Sequence, residues 1–152
     1  MNRSGLNKAL TSTKLNATPF RPSIADVKRW TDVLNFIMFE GKSLKWGRIQ
    51  VRPMRDFAWS VPYFDGRNKR RCELHIRNRF KSFSMFYSVL CHELLHLAEY
   101  HELGTINHGD FFYSHREMLA KIGIKLQARY EDIQPNRKKI AAKVKKKAKH
   151  KA

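Results

Sequence analysis

The stretch of sequence that decides the fold is residues 82–104, which read SFSMFYSVLCHELLHLAEYHELG. Ser82 or Ser84 can begin a helix here, and Gly104 can end it. The apolar residues that recur at helical spacing include Val89, Leu90, Leu94, Leu97 and Ala98. We therefore expect a long amphipathic helix whose apolar side is buried in the core.

A candidate metal site lies inside this segment, where residues 91–96 read CHELLH. His92 and His96 are one helical turn apart, so both imidazoles project from the same face and can share a tetrahedral zinc ion. Glu93 lies beside them, where a carboxylate can take a proton from zinc-bound water. The pattern predicts one catalytic zinc ion with Glu93 as general base. The alternative is that both histidines are structural residues of an ordinary helix.

A catalytic zinc ion needs a third protein ligand and an open fourth position. His108 lies twelve residues after His96, beyond the expected helix end, and Gly109 would let the backbone pass close to the site. Glu117 is the rival, because some zinc proteases take a carboxylate from a later helix. Spacing alone leaves both open. Glu99 shares the face of the ligands and could support one of them from behind, but a surface ion pair is its expected role.

The segments on both sides of this helix predict one α+β domain. Ser23, with Asp26 three residues later, forms a capping pattern for a first helix that Gly41 ends. The remaining elements are three short strands and a shorter helix, expected at residues 46–52, 57–63, 71–77 and 110–122. The expected order is helix, three strands, helix, loop and helix, followed by a basic tail.

The large aromatic residues outside the long helix are expected in the core. One face of the second strand carries Phe57, Trp59, Val61 and Tyr63. Trp30, Trp46 and Trp59 occupy positions on apolar faces, so we expect them to be core residues rather than a platform for stacking bases.

The chain is strongly basic. Of its 152 residues, 31 are Lys or Arg and 13 are Asp or Glu, which gives a formal charge of +18. The apolar content of 42% is sufficient for a core and excludes a wholly disordered chain. The first twenty residues lack the apolar block of a signal peptide, and no stretch approaches the ~18 apolar residues of a membrane span. We expect an intracellular protein, cytoplasmic or associated with nucleic acid, and not a secreted one.

Half of the charge lies in residues 136–152, NRKKIAAKVKKKAKHKA, which contain nine Lys or Arg and no acid. Such a run predicts contact with nucleic-acid phosphates, with a solubilising tail as the alternative. A second basic cluster lies at residues 65–81, where an ordinary solvated strand face explains the charge equally well. The residues assigned to nucleic-acid contact are Arg67, Lys69, Arg70, Arg71, Lys143, Lys145, Lys146 and Lys147.

Two motifs together, HELLH at 92–96 and HGDFF at 108–112, resemble the HExxH and downstream His-Gly-x-x-Phe of the SprT-like (Spartan-type) metalloprotease family. The similarity extends to the order of elements over about residues 23–123. It implies a zincin-like fold, Glu93 as general base and three zinc ligands, His92, His96 and His108. Many members also carry a cysteine-rich zinc ribbon at the C-terminus, which this sequence lacks. We expect the lysine tail to take over its role of holding DNA.

These features predict a zinc metalloendopeptidase that hydrolyses peptide bonds in DNA-associated proteins. The expected divisions are a flexible segment at 1–22, a protease domain at 23–135 and the basic tail at 136–152. An extended substrate is expected to pair with an exposed strand, for which residues 71–77 are the candidate. Two alternatives remain open. One is a non-enzymatic nucleic-acid-binding protein with a structural or vestigial zinc site, and the other is a general peptidase with an incidental tail.

Overall fold

The computed structural model describes residues 18–40, 42–124 and 126–127, which form an α+β fold. In chain order the elements are helix α1, strands β1, β2 and β3, and helices α2, α3 and α4. Their bounds are Ile24–Met38, Arg48–Arg52, Ala58–Phe64, Arg70–Arg77, Phe83–Leu103, Asp110–Tyr113 and Arg116–Lys121. The class and the order are as the sequence predicts, except that the last expected helix is divided into two short ones.

The ends of the two long helices are set by local sequence. Ser23 and Asp26 form a reciprocal capping box at the start of α1, with hydrogen bonds of 3.0 and 2.9 Å. The Ser82 hydroxyl accepts a hydrogen bond from the backbone N–H of Met85 at the start of α2. Gly104 ends α2 in the left-handed conformation, with a φ of 73°. The predicted boundaries at Ser23, Ser82 and Gly104 are confirmed, whereas the first helix ends at Met38 and its predicted end residue, Gly41, lies outside the described residues.

The three strands form one sheet in the order β1-β3-β2. Strand β3 pairs in parallel with β1 and antiparallel with β2, so that Leu74 lies between Ile49 and Ser60. The prediction that this strand is exposed for substrate pairing is therefore wrong, because both of its edges are already paired. Alternation of apolar and polar residues identifies a half-buried strand but not its position in the sheet.

Helix α2 lies between the sheet and α1 and forms the centre of the core. Fifteen of its 21 residues are buried, including every residue from 89 to 100. The sequence predicts burial of the apolar side of this helix alone, but the polar side is buried as well. Two histidines and two glutamates lie in this interior, namely His92, Glu93, His96 and Glu99. Buried polar groups require partners, and those partners define the site described below.

On strand β2 the small side chains face the core and large side chains face the solvent, which is the reverse of an ordinary half-buried strand. The small residues Ala58 and Ser60 share the face of the sheet that packs against α2, whereas Trp59, Val61 and Tyr63 are 45%, 41% and 37% exposed. The prediction that Trp59 belongs to the core is wrong, while the other two tryptophans do pack in the core. Alternation shows which residues share a face, but neighbouring elements decide which face is covered.

Two predicted segments fall outside the described residues. They are most of the N-terminal segment, residues 1–17, and the basic tail at 136–152 with its four assigned lysines, Lys143, Lys145, Lys146 and Lys147. Among the helices that the structure describes, none combines the length and apolar character required to cross a bilayer.

Candidate metal centre

Three histidine side chains converge at one point of the structure. The Nε2 atoms of His92 and His96 are 3.0 Å apart, and that of His108 lies 3.2 Å from His96 and 3.3 Å from His92. His92 and His96 project from the buried part of α2, and His108 comes from the loop that follows Gly104. The chain thus brings together the three predicted ligands.

The contacts of the Nδ1 atoms of His92 and His96 determine whether the Nε2 atoms of the same rings carry a proton or a lone pair. His92 Nδ1 lies 2.7 Å from the Gln127 carbonyl oxygen, which can only accept, so the proton is on Nδ1. His96 Nδ1 faces the Glu99 carboxylate at 3.4 Å. Burial is the main cause that lowers the pKa of His92 to about 3 and the pKa of His96 to about 4, so both rings are neutral at pH 7. Their Nε2 lone pairs therefore face each other, an arrangement that repels without a cation between them.

The spacing of these nitrogens fits a divalent transition metal. With metal–nitrogen bonds of about 2.0–2.1 Å in a tetrahedral site, two ligand nitrogens are about 3.3 Å apart. The observed separations are 3.0–3.3 Å. Neutral imidazole suits zinc and its first-row neighbours. The three histidines lie close enough to bind one metal ion, and three protein ligands leave a fourth coordination position open.

Glu99 connects the helix to the loop that carries His108. It is fully buried, and its Oε1 faces His96 Nδ1 and accepts a 2.6 Å hydrogen bond from the backbone N–H of Asn107. The Asn107 side chain in turn accepts a hydrogen bond from the N–H of Gly109 at 2.8 Å. The expectation of a surface ion pair for Glu99 is wrong. Its position three residues after His96, on the same helical face, was the signal for this role.

A phenylalanine forms the wall behind the three rings. Phe112, on α3, is fully buried, and its ring centroid lies 4.9 Å from that of His92, 5.2 Å from that of His96 and 5.0 Å from that of His108. An apolar wall at this position excludes water from one side of the site and limits the rotation of the imidazoles. Phe112 is the phenylalanine of the His-Gly-x-x-Phe motif at 108–112, but its spacing alone does not indicate that its ring packs against the histidines.

Glu93 turns from α2 toward the sheet. Its Oε2 accepts a 2.6 Å hydrogen bond from the Ser60 hydroxyl of β2. Burial raises the pKa of Glu93 to about 7, and the hydrogen bond from Ser60 opposes that rise. Among the described residues, no lysine or arginine forms an ion pair with Glu93 or Glu99, so a cation at the histidines would be the nearest compensating charge. Ser60 was not foreseen, because only the tertiary fold brings β2 against α2.

The rival ligand does not join the cluster. Glu117 is exposed on α4, whereas the metal-binding group among the described residues consists of His92, His96 and His108. Two further histidines also lie elsewhere, since His115 contacts the carbonyl of Phe111 and His101 is exposed near the end of α2. The preference for His108 over Glu117 agrees with this geometry.

Three of the four predicted nucleic-acid contacts in the described residues line one basic cleft. Lys69, Arg70 and Arg71 lie beside Lys42 and Lys45 in a concavity of about 730 Å³. Arg70 donates to backbone carbonyls in the last turn of α2, and Arg71 donates a 3.0 Å hydrogen bond to Asp65. The remaining contact, Arg67, lies in the exposed β2–β3 turn and does not line this cleft.

Comparisons of the chain with protein-family models, with curated proteins and with solved structures find no match. The kind of site is therefore inferred from the side chains that form it. Three converging histidines, a buried glutamate beside them and a buried carboxylate behind one ligand make up a candidate metal centre.

We expect replacement of His108 by alanine to weaken metal binding by at least tenfold, because two imidazole ligands would remain in place of three. Glu117→Ala is the matched control and should bind metal like the wild type. Bound metal is measured by elemental analysis and by competition with a chromophoric chelator. Loss of metal from Glu117→Ala, with retention by His108→Ala, would reverse the assignment of the third ligand.

Glu99→Gln should lower metal affinity by about 10- to 100-fold, since it removes the negative charge behind His96 while keeping an oxygen for Asn107. Glu102→Gln is the control on the same helix, because Glu102 is an exposed residue that pairs with Lys42. Chelator competition on both variants tests the difference. Equal affinities in the two variants would show that the Glu99 charge has no effect on the metal.

Glu93→Gln should stabilise the metal-free protein at neutral and higher pH. A carboxyl whose pKa is raised from 4.5 to about 7 binds its proton more tightly in the folded state, so wild-type stability falls as pH rises through this window. The variant lacks this loss. Its advantage in free energy of unfolding should be absent below pH 4.5 and reach about 3 kcal/mol above pH 7. Urea unfolding in chelator across this range tests it, and a variant less stable than wild type at pH 8 would contradict it.

Proposed function

We propose that this protein is a zinc-dependent peptidase of the SprT-like kind with a zincin-like fold, acting on DNA-associated proteins. The observation that carries the proposal is the placement of Glu93, which is buried, directly follows a histidine of the cluster and accepts a hydrogen bond from Ser60 of β2; in the metal-free site burial raises its pKa to about 7. A purely structural metal site needs no such group. A general base is most effective when its pKa lies near the working pH.

Each residue of the site has a distinct part in the proposed hydrolysis. The zinc ion, when held by His92, His96 and His108, would supply Lewis-acid polarisation of the scissile carbonyl and of water. Glu93 takes the proton of the attacking water and passes it to the departing amine. The Ser60 hydroxyl occupies Oε2 of Glu93, which leaves Oε1 for the water. Glu99 keeps the His96 ring oriented.

Among the described residues, the edge of β2 that faces away from β3 has no strand paired to it, and this free edge can offer backbone groups to a substrate beside Glu93. The Arg77 N–H bonds to the Phe57 carbonyl, so odd-numbered residues of β2 pair with β3 and the backbone groups of even-numbered residues point outward. Ser60 is one of these outward positions, and its side chain contacts Glu93. Pro62 is another, where its missing N–H is tolerated at an edge. An extended peptide paired here would pass next to the general base.

The choice of DNA-associated substrates is supported by charge. Without the last seventeen residues the chain still has 22 basic and 13 acidic residues, and those seventeen add nine more positive charges. A basic cleft formed by Lys42, Lys45, Lys69 and Arg70 lies at the end of α2. Clustered lysine and arginine residues bind phosphate backbones through release of counterions, largely without regard to sequence.

Wild-type protein loaded with zinc should cleave a histone in the presence of DNA, and chelator should abolish the reaction until zinc is restored. Glu93→Gln should retain the metal and lose at least about 100-fold in rate, because proton transfer is removed while binding is kept. Glu117→Gln, an exposed acidic position, is the matched control and should cleave normally. Product is measured by gel electrophoresis and mass spectrometry of the fragments.

The same assay separates the competing functions. Full activity of Glu93→Gln would disprove its role as general base. DNA binding without any cleavage by the zinc-loaded wild type would favour the non-enzymatic nucleic-acid-binding protein. Cleavage that is unaffected by DNA and by removal of residues 136–152 would identify a general peptidase instead.

A further inference from the structure

The outer face of the sheet, on the side opposite α2, exposes several large apolar side chains. Its apolar members are Trp59, Val61 and Tyr63 of β2, which are 45%, 41% and 37% exposed. On the same strand the inward-facing positions that are partly buried carry the small residues Ala58 and Ser60, whereas the inward-facing Pro62 and Phe64 near its end are exposed. A strand that buries its small residues and exposes its large ones gains nothing in folding from the exposed set, so these side chains are suited to a binding partner.

The exposed aromatic rings lie across the sheet rather than standing away from it. Tyr63 starts on β2 and reaches past β3, because a Cβ atom at Gly47 would overlap its hydroxyl group. The indole N–H of Trp59 donates a 2.9 Å hydrogen bond to Asp56, and the Arg52 guanidinium lies 5.4 Å from its ring centroid. Rings held in this way offer a flat surface to a ligand at little cost in side-chain entropy.

The charges around these rings select an anionic partner. Arg48 and Arg52 come from β1, and Arg71 lies opposite Tyr63 on β3. Arg48 lies 3.6 Å from Glu73, the one acid among the paired positions of this face, and Arg71 lies 3.0 Å from Asp65 in the adjoining turn. Arg71 also lines the basic cleft with Lys69 and Arg70, and the lining of that cleft contains no acidic residue. The track of rings along β2 therefore leads at its Tyr63 end into a concentration of positive charge.

We propose that the outer sheet face binds single-stranded DNA, with bases stacked on Trp59 and Tyr63 and the phosphates directed through Arg71 into the basic cleft. Side chains four positions apart on a strand are about 13 Å apart, which leaves room for separate bases on the two rings. Bases in a duplex are already stacked on one another, whereas a single strand exposes their faces. The basic tail of this chain has the wrong charge to occupy the surface itself.

The inference rests on the DNA partner in the proposed function but not on peptide hydrolysis. The sheet face is the side of the sheet opposite α2, and α2 supplies Glu93 and two of the clustered histidines. DNA on this face would therefore leave the metal centre and the free edge of β2 accessible to a protein substrate. Binding can be measured without any protein substrate, so loss of peptidase activity and loss of DNA binding are separate results.

The test is fluorescence anisotropy of the full chain with a labelled 20-nucleotide oligothymidine and with a duplex of the same length. Trp59→Ala and Tyr63→Ala should each weaken binding of the single strand by roughly fivefold or more, and change duplex binding less than twofold. Trp59→Leu and Tyr63→Leu, which keep apolar bulk on the sheet, should show the same loss and serve if the alanine variants fold poorly. Phe36→Ala is the matched control, because Phe36 is an aromatic residue of α1 that is 74% exposed.

Removal of residues 136–152 should weaken single-strand and duplex binding together and leave the preference for the single strand in place, because the tail contributes charge without stacking. The proposal is overturned if the Trp59 and Tyr63 variants bind oligothymidine like the wild type. It is also overturned if the duplex binds as tightly as the single strand and loses affinity equally in these variants, since that result would mean electrostatic contact alone.

Discussion

Burial of ionisable side chains in the centre of one helix is the constraint on which the rest of the structure depends. His92, Glu93, His96 and Glu99 are at most 7% exposed, inside a helix whose neighbours are almost entirely apolar. Each would destabilise the fold without a partner. The partners come from three separate places, namely the Gln127 carbonyl beyond α4, the Ser60 hydroxyl of β2, and the Asn107 amide and His108 ring of the loop after α2.

The same requirement explains why the loop after α2 has its conformation. Glu99 binds the Asn107 amide and faces His96, so one carboxylate fixes both a ligand on the helix and the start of the segment that delivers His108. Phe112 then closes the apolar side of the three rings. These contacts hold the three histidines in place without involving a metal ion, so the candidate site is preorganised.

The sheet separates the two proposed activities of the protein. Its inner face is closed by α2 and supplies Ser60 to the Glu93 carboxylate, whereas its outer face carries exposed rings and arginines. Strand β2 takes part in both, because its side chains alternate between the two faces and its outer edge is unpaired among the described residues. A protein bound along that edge and DNA bound on the outer face would contact the same strand without overlapping.

The sequence by itself determined the elements and the ligand candidates, because these depend on short-range rules. Helical spacing put His92 and His96 on one face, and the caps at Ser23, Ser82 and Gly104 marked the helix ends. On spacing alone, the sequence left both His108 and Glu117 as possible third ligands. Only the family resemblance favoured His108. Tertiary structure decided that His108 joins the cluster, because contacts between loop and helix have no local signature.

Tertiary structure also decided everything that depends on which face of an element is covered. The buried position of Glu99, the contact between Ser60 and Glu93, the central place of β3 and the exposure of Trp59 are not written in any periodicity. Alternation and helical spacing say which residues lie together on a face. The packing of other elements determines whether that face meets the core or the solvent, and here that distinction separates the candidate metal centre from the proposed DNA-binding surface.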